Sequence, residues 1–172
     1  IMGSLRQWLS IPLAAAALFV ASCGGGSTTS DDTLRRGISA NPDSVDPHKV
    51  AGQWENIIIG DMFEGLFTDG EDAAPVLGMA ESYEVDGTGT VWTFTLKEAT
   101  WSDGVPVTAN DFEFSYQRIL NPATGAQYAS LLFLIKNAEA YYAGDVGAED
   151  LGVRAIDDKT LEITLEYPAP YL

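Results

Sequence analysis

The chain contains few of the residue constellations that carry out chemistry. Its single histidine, His48, lies in the turn sequence Asp46-Pro47-His48, and a catalytic role would require a nucleophile and an orienting acid that the sequence does not place. There is no Gly-x-Ser-x-Gly elbow, no phosphate-binding P-loop and no Gly-x-Gly-x-x-Gly motif after a strand. With 25 Asp and Glu residues, pairs of carboxylates are expected by chance. The sequence therefore predicts that the protein is not an enzyme and that His48 is structural.

The composition also limits metals and charged partners. One cysteine and one histidine exclude an internal disulfide, a four-thiolate zinc site and a two-histidine metalloprotease helix. No metal site and no cofactor is predicted. Nine Lys and Arg residues against 25 Asp and Glu give a net charge of −16, which argues against binding to nucleic acid or to anionic lipid through basic residues. The charge fits ligands that are neutral or cationic.

The one cysteine, Cys23, follows a segment with the pattern of an export signal. Residues 1–22 contain no acid, and the apolar run from Ile11 to Ala21 has the length of a signal-peptide core. It is too short to span a bilayer, which takes about 20 residues. Residues 23–32 are rich in Gly and Ser and are predicted to be a flexible tether. The alternative is an ordinary secretory signal with a cysteine near the cut by chance.

Downstream, the pattern of apolar residues predicts a mixed α/β domain. Alternation and β-forming residues predict strands over Thr33–Ser39, Val91–Lys97 and Leu161–Glu166. Helical spacing predicts helices over Trp54–Phe67, from a Thr108 cap to Asn121-Pro122, and from Tyr128 to Tyr142. A turn is predicted at Ser102-Asp103-Gly104. Three tryptophans are expected to lie in the core, namely Trp54, Trp92 and Trp101.

Two sets of motifs resemble known families. Val20-Ala21-Ser22-Cys23 resembles the lipobox of bacterial lipoproteins, which implies that Cys23 becomes an acylated N-terminus and anchors the protein in a membrane. A second set of stretches lies within residues 33–172, and the main ones are Asp46–Lys49, Met62–Leu66, Trp101–Phe112, Ser115–Arg118 and Leu151–Glu162. In order and spacing these stretches resemble the N-terminal portion of bacterial extracellular solute-binding proteins of family 5, the oligopeptide- and dipeptide-binding proteins of ABC importers.

The resemblance to family 5 implies a fold and a function. It implies a mixed α+β periplasmic binding protein of type II, a clamshell of which this chain is an N-terminal fragment. Residues 33–63 would begin the main lobe and 64–172 would form most of a smaller inserted domain. The implied function is capture of oligopeptides or related small solutes in the periplasmic space or at the cell surface, and delivery to an ABC permease and its ATPase. Alternatives are a peptide-sensing or structural lipoprotein with the same fold, and a hydrolase whose site lies in the missing part.

The same resemblance implies where the ligand binds. In the oligopeptide branch the peptide is held as an added strand, so that backbone hydrogen bonds supply affinity. The segment implied to hold it consists of Val50, Ala51, Gly52, Gln53 and Trp54, and the tyrosine implied to reach the ligand is Tyr128. Gln53 and Trp54 have an alternative interpretation as a plain helix N-terminal turn. Ala51 stands where the oligopeptide pattern carries an acid, and Glu55 is the candidate to replace it.

Overall fold

The computed structural model describes residues 36–38 and 40–169, and the segment from Ile38 onward belongs to one compact unit. The predicted signal, the tether and Cys23 lie outside the described residues. So does most of the predicted strand Thr33–Ser39, and the part that is described, residues 36–38, forms no strand.

The described chain contains one helix, then four strands, then two further helices and a final pair of strands. The helices are α1 (Gln53–Met62), α2 (Ala109–Leu120) and α3 (Ala138–Ala143), with short 3₁₀ helices at Pro122–Thr124, Ala129–Leu132 and Ala148–Asp150. The strands are β1 (Phe67–Asp69), β2 (Pro75–Leu77), β3 (Ala80–Val85), β4 (Val91–Leu96), β5 (Val153–Ala155) and β6 (Thr160–Thr164). Within these described residues no helix is long and apolar enough to cross a membrane.

A four-stranded antiparallel sheet in the order β3-β4-β6-β5 forms the centre of the domain, beside a two-stranded hairpin of β1 and β2. Strand β4 is the predicted alternating strand: Trp92, Phe94 and Leu96 are buried, whereas Thr95 is exposed. Its partner β6 buries Leu161 and Ile163. Because side chains alternate between the faces of a strand, one face of this sheet supplies the core.

Helix α2 packs against β5 and β6 and begins and ends as predicted. At its start the Asp111 carboxylate accepts the backbone N–H of Thr108 at 2.8 Å, which satisfies an amide that has no partner within the helix. At its end Asn121 is extended before Pro122. On the sheet side Glu113 Oε2 accepts the N–H of Ala155 in β5 at 2.7 Å. These bonds fix the position of α2 against the sheet.

Helix α1 is shorter than predicted and ends at Met62, because Phe63 is extended with φ −127° and ψ 149°. The carbonyl of Leu66 accepts the N–H groups of Gly78 at 2.9 Å and Ala80 at 3.2 Å. This pairing between distant segments draws the chain after Phe63 into a hairpin, and apolar spacing along the sequence carries no information about it. The prediction of helix up to Phe67 is therefore wrong at its C-terminal end.

The helix predicted from Tyr128 to Tyr142 is also interrupted. The chain forms a 3₁₀ turn at Ala129–Leu132, and α3 starts only after Asn137, whose φ is 61°. Between them Ile135 forms an isolated bridge with Leu165, and Lys136 N–H donates to Thr164 O at 2.9 Å. The segment is thus drawn to the edge of the sheet, and this pairing prevents a continuous helix.

The tryptophans do not all lie in the core. Trp92 is buried as predicted, but Trp101 is 40% exposed and contacts the ring of Phe63 edge-on at a centroid distance of 6.5 Å. Trp101 precedes the predicted turn, in which Gly104 has φ 87° and Asp103 accepts the N–H of Val105. Because this tight turn lies at the surface, no other element covers the Trp101 side chain fully. The prediction of a core Trp101 is therefore wrong.

Candidate functional site

The predicted ligand segment forms the entry to helix α1. Gly52 is its N-cap, with φ −90° and ψ 155°, and Gln53 is its first residue and is exposed. The extended backbone therefore ends where the helix begins, and the two interpretations of Gln53 and Trp54 describe adjoining parts of one structure. The first amides of a helix have no acceptor within it. The N–H groups at this end of α1 are consequently available to another acceptor.

Tyr128 lies beside this segment, 77 residues further along the chain. Its hydroxyl is 3.4 Å from the carbonyl oxygen of Ala51, to which it donates a long hydrogen bond. Tyr128 itself is 51% exposed, whereas Ala126 and Ala129 on either side are buried. The backbone at Tyr128 is thus anchored while the ring stays at the surface. The structure brings together the two parts of the chain that the sequence comparison predicts to share a ligand.

An ion pair between Asp46 and Arg118 holds the turn that precedes the segment. Arg118 NH1 donates to Asp46 Oδ1 at 2.8 Å and NH2 donates to Oδ2 at 2.6 Å, which is a bidentate pair across 72 residues. The same carboxylate accepts the backbone N–H of His48 at 3.1 Å. The hydrogen bond from Arg118 is the main reason that the pKa of Asp46 lies well below its usual range.

His48 completes this network. Arg118 NH1 is also 2.6 Å from Nδ1 of His48, and Nε2 of His48 is 2.9 Å from the hydroxyl of Ser115. A guanidinium group only donates, so Nδ1 must accept and Nε2 must carry the proton. Burial, and then the positive charge of Arg118, lowers the pKa of His48 below its ordinary value. His48 is held as the neutral tautomer that this geometry requires.

Ser115, His48 and Asp46 are the residue types of a catalytic triad, but the hydrogen bonds at His48 run in the opposite direction to those of a triad. In a triad an acid accepts the Nδ1 proton and Nε2 takes the proton of serine. Here Arg118 donates to Nδ1, so Nε2 holds a proton and cannot act as a base toward Ser115. The geometry supports the interpretation of His48 as structural. Within residues 36–38 and 40–169, no group of three or more His, Cys, Asp or Glu could hold a metal ion.

Arg118 also connects to the loop that leads to Tyr128. Its backbone carbonyl accepts the hydroxyl of Thr124 at 2.6 Å. Gly125 follows in the left-handed conformation with φ 68°, and the chain then turns to Ala126. In the last turn of α2, Arg118 thus contacts the turn before the ligand segment through its side chain and the loop before Tyr128 through its carbonyl.

Glu55 does not occupy the role that the sequence suggests for it. Its side chain is buried, with 5% exposure, and Oε1 accepts the N–H of Asp43 at 3.3 Å. Its other oxygen, Oε2, is buried without a hydrogen-bond partner among the described residues. The carboxylate packs beside Gly52, where a Cβ atom would overlap it. A buried carboxylate in this position supports the start of α1 and is not presented at the surface as a replacement for an acid at Ala51.

No role for Ser115 or Arg118 was predicted from the sequence. Both lie in the stretch Ser115–Arg118, and their separation of three residues places them on one face of α2. That spacing is a local signal. The identity of their partners, 70 residues away in the chain, depends on tertiary structure.

The sequence profile described as "Bacterial extracellular solute-binding proteins, family 5 Middle" matches residues 74–172. The chain belongs to this family. The periplasmic oligopeptide-binding protein OppA of Salmonella typhimurium is 43% identical over 167 residues, which cover 95% of this chain and 31% of the relative. The periplasmic murein peptide-binding protein MppA of Escherichia coli is 41% identical over 141 residues, covering 80% of this chain and 26% of that protein.

Solved structures agree with this assignment. The structure of Listeria monocytogenes OppA bound to peptide superposes with a TM-score of 0.76 at 39% identity, covering 78% of this chain and 27% of that one. The predicted fold class, a mixed α/β periplasmic binding protein of type II, is confirmed. The chain spans about a third of the length of these family 5 relatives, or less.

Proposed function

We propose that this chain is part of the substrate-binding component of an ABC importer, which captures oligopeptides or related small solutes outside the cytoplasmic membrane. The similar proteins are named as binders of oligopeptides and of murein peptide. The observation that carries the proposal for this chain is the contact between Tyr128 and the segment Val50–Trp54. It joins the two predicted ligand-binding regions at an exposed surface.

The ligand is proposed to bind as an added strand. Residues 50–52 are not part of any strand or helix, and Gly52 has extended dihedral angles. Their backbone groups, together with the N–H of Gln53, offer donors and acceptors to a peptide without reading its side chains. Tyr128 supplies an aromatic surface and a hydroxyl at the edge of this segment. This division of roles gives affinity for many sequences and fits a general peptide binder.

The charge of the protein influences which peptides bind. The net charge of −16 raises the local concentration of cationic solutes. Ala51 offers no carboxylate to an ammonium group, and Glu55 is buried. Selection among peptides is therefore proposed to come from the overall field of the protein and from contacts beyond this segment.

The remaining parts of the proposal concern anchoring, delivery and domain organisation. Residues 1–22 are proposed to be a signal peptide, Cys23 a lipidated anchor and residues 23–32 a tether. Residues 33–63 are proposed to begin the main lobe, and residues 64–172 to belong to a smaller inserted domain. Delivery of the solute to a permease and its ATPase completes the cycle, with no catalytic step by this protein. A mass shift of the protein that is lost in Cys23→Ser tests the anchor.

The strand-addition step can be tested with Gln53→Pro. Proline is favoured at the first position of a helix, and the extended Gly52 before it has the conformation that proline prefers in the preceding residue. The fold should therefore tolerate this change, although it removes one backbone N–H. If that N–H donates to the ligand, peptide affinity measured by titration calorimetry on the complete gene product should fall about threefold to tenfold.

Gln53→Ala is the matched control, because it removes the same side chain and keeps the N–H. We expect it to bind peptide with nearly the affinity of the unmodified protein. Equal affinity of the proline and alanine variants would contradict strand addition at this amide. Failure of the unmodified protein to bind any peptide from a mixed pool, with captured ligands identified by mass spectrometry, would contradict the proposed function itself.

A further inference from the structure

The last turn of α2 is the point from which both halves of the proposed ligand site are held. The guanidinium group of Arg118 binds the Asp46 carboxylate through two hydrogen bonds and His48 Nδ1 through a third contact. Four residues after Asp46 the chain reaches Val50, where the ligand segment begins. No helix or strand intervenes between this turn and that segment.

The backbone of the same residue holds the other half. The carbonyl of Arg118 accepts the Thr124 hydroxyl at 2.6 Å, four residues before Tyr128. The hydroxyl of Tyr128 then reaches back to Ala51. These contacts form a closed loop of interactions. One side runs from Arg118 through Asp46 and along the backbone to Ala51. The other side runs from Arg118 through Thr124 and along the backbone to Tyr128, whose hydroxyl contacts Ala51.

The turn Asp46–His48 is half-buried, although the described residues from Ala40 to Lys49 form no helix or strand. One hydrogen bond ties the loop before this turn to α1, from Asp43 N–H to Glu55 Oε1 at 3.3 Å. The bonds within the turn are local, since Asp46 accepts the N–H of His48 with its side chain and that of Lys49 with its carbonyl. The contacts made by Arg118 and Ser115 therefore tie the turn to the sheet-packed helix α2.

We propose that Arg118 is a positioning residue, which sets the distance between the peptide-binding backbone at residues 50–54 and Tyr128 without touching the ligand. The effect of Arg118 on ligand binding rests on the proposed function. The positioning itself can be measured without a ligand. The ion pair is 25–33% exposed, so bulk water does not fully screen it.

His48 makes the network directly observable, because its imidazole signals can be followed in an NMR titration and assigned by their loss in His48→Gln. The pKa of His48 is lowered by burial and by Arg118, while Asp46 raises it. In Arg118→Met the cation is removed and Asp46 remains. The pKa of His48 should therefore rise toward or above its ordinary value of about 6.5. A residue that merely filled space would not shift this titration.

Three measurements on the complete gene product test the proposal. In Arg118→Met, hydrogen exchange of the bonded amides at either end of the segment, those of His48, Lys49 and Asn56, should become about tenfold faster or more, and peptide affinity should fall by about tenfold, since a charge-assisted pair is lost. The pKa of His48 should rise. Arg154→Met is the control. Arg154 also forms an ion pair, with Glu162, but its side chain is 67% exposed. This control should leave all three quantities unchanged.

The conservative variant Arg118→Lys keeps the charge and loses the fork geometry. Its affinity and its exchange rates are expected to lie between those of the unmodified protein and Arg118→Met. If Arg118→Met does not fold, Arg118→Lys decides: unchanged exchange at His48, Lys49 and Asn56 and unchanged affinity would overturn the proposal. If the unmodified protein binds no peptide, the proposed function fails, whereas the exchange and the His48 titration still support or overturn the positioning role.

Discussion

At the scale of single residues, the candidate site depends on a few side chains that lie close to the backbone. Gly52 shows this at the start of α1. The backbone conformation does not require glycine here, because any amino acid can adopt its φ of −90°. Glycine is favoured because it leaves space for the buried carboxylate of Glu55, which an added Cβ would overlap.

Gly52→Ala is therefore expected to destabilise the fold, and alanine is also a poorer N-cap residue than glycine. The new methyl group overlaps Oε2 of Glu55, the oxygen without a hydrogen-bond partner, so the buried carboxylate must shift, and this crowding lowers the free energy of unfolding by about 1 kcal/mol. Chemical denaturation at neutral pH measures this effect.

Gly60→Ala is the matched control in the same helix. Nothing lies within 4 Å of the added atom, and Gly60 is in the exposed interior of α1. This change should raise the free energy of unfolding by about 0.5–1 kcal/mol. Stabilisation by both substitutions would show that Glu55 moves aside freely.

At the scale of elements, the turn between β3 and β4 illustrates how one side chain organises a hairpin. Asp86 accepts the N–H groups of Thr90 and Val91 at 3.0 Å and the hydroxyl of Thr88 at 2.7 Å, while Gly89 adopts a φ of 75°. Hydrogen bonds to this carboxylate lower the pKa of Asp86 to about 2. The bond from the Thr88 hydroxyl has the largest effect, and the bond from the Val91 amide has the next largest.

This lowered pKa predicts a stability that depends on pH. A carboxyl group whose pKa is lower in the folded state stabilises fully above its unfolded value of about 3.9, and the contribution is lost as the pH falls toward about 2. The melting temperature of Asp86→Asn should lie below that of the unmodified protein at pH 6. The difference should shrink as the pH approaches 2.

Asp145→Asn, at another exposed carboxylate, serves as the control and should show a much smaller difference at pH 6. A constant difference between Asp86→Asn and the unmodified protein over the whole pH range would mean that the charge of Asp86 is irrelevant to the turn.

At the scale of the whole molecule, stability comes from one core between the sheet and the helices. Its fully buried large side chains come from α2, from strands β4 and β6, and from the segment before α3: Phe94, Leu120, Ile135, Leu161 and Ile163. Phe94 also contacts the rings of Phe67, Tyr83 and Trp92. Removal of its ring should therefore affect contacts in both sheets.

We expect Phe94→Ala to lower the free energy of unfolding by about 3–5 kcal/mol, because it leaves a cavity at a site with 0% exposure. Phe114→Ala removes the same ring from a position that is 63% exposed and should change the free energy by no more than about 0.5 kcal/mol. The two variants can be compared by urea unfolding. Similar losses in both would contradict this position of the core.

The family, the alternating face of β4, and the start and end of α2 follow from the amino-acid sequence. The family follows from motifs in a fixed order along the chain, and the two elements follow from residue spacing, a capping pair and a proline. The sequence also predicted that Tyr128 and residues 50–54 share a site, through resemblance to family 5. That they bind a ligand remains a proposal. The buried position of Glu55 and the end of α1 at Met62 were not predicted.

The contacts that hold the site together could not be predicted from the sequence. Arg118 meets Asp46 and His48 across about 70 residues, and these contacts leave no periodic trace in the sequence. The same reason explains the two helix errors, where hydrogen bonds to Leu66 and Thr164 from distant segments outweigh local helical spacing. Local patterns specify the elements, but pairing between remote segments ends the helical conformation after Met62, interrupts it before α3, and specifies which side chains meet.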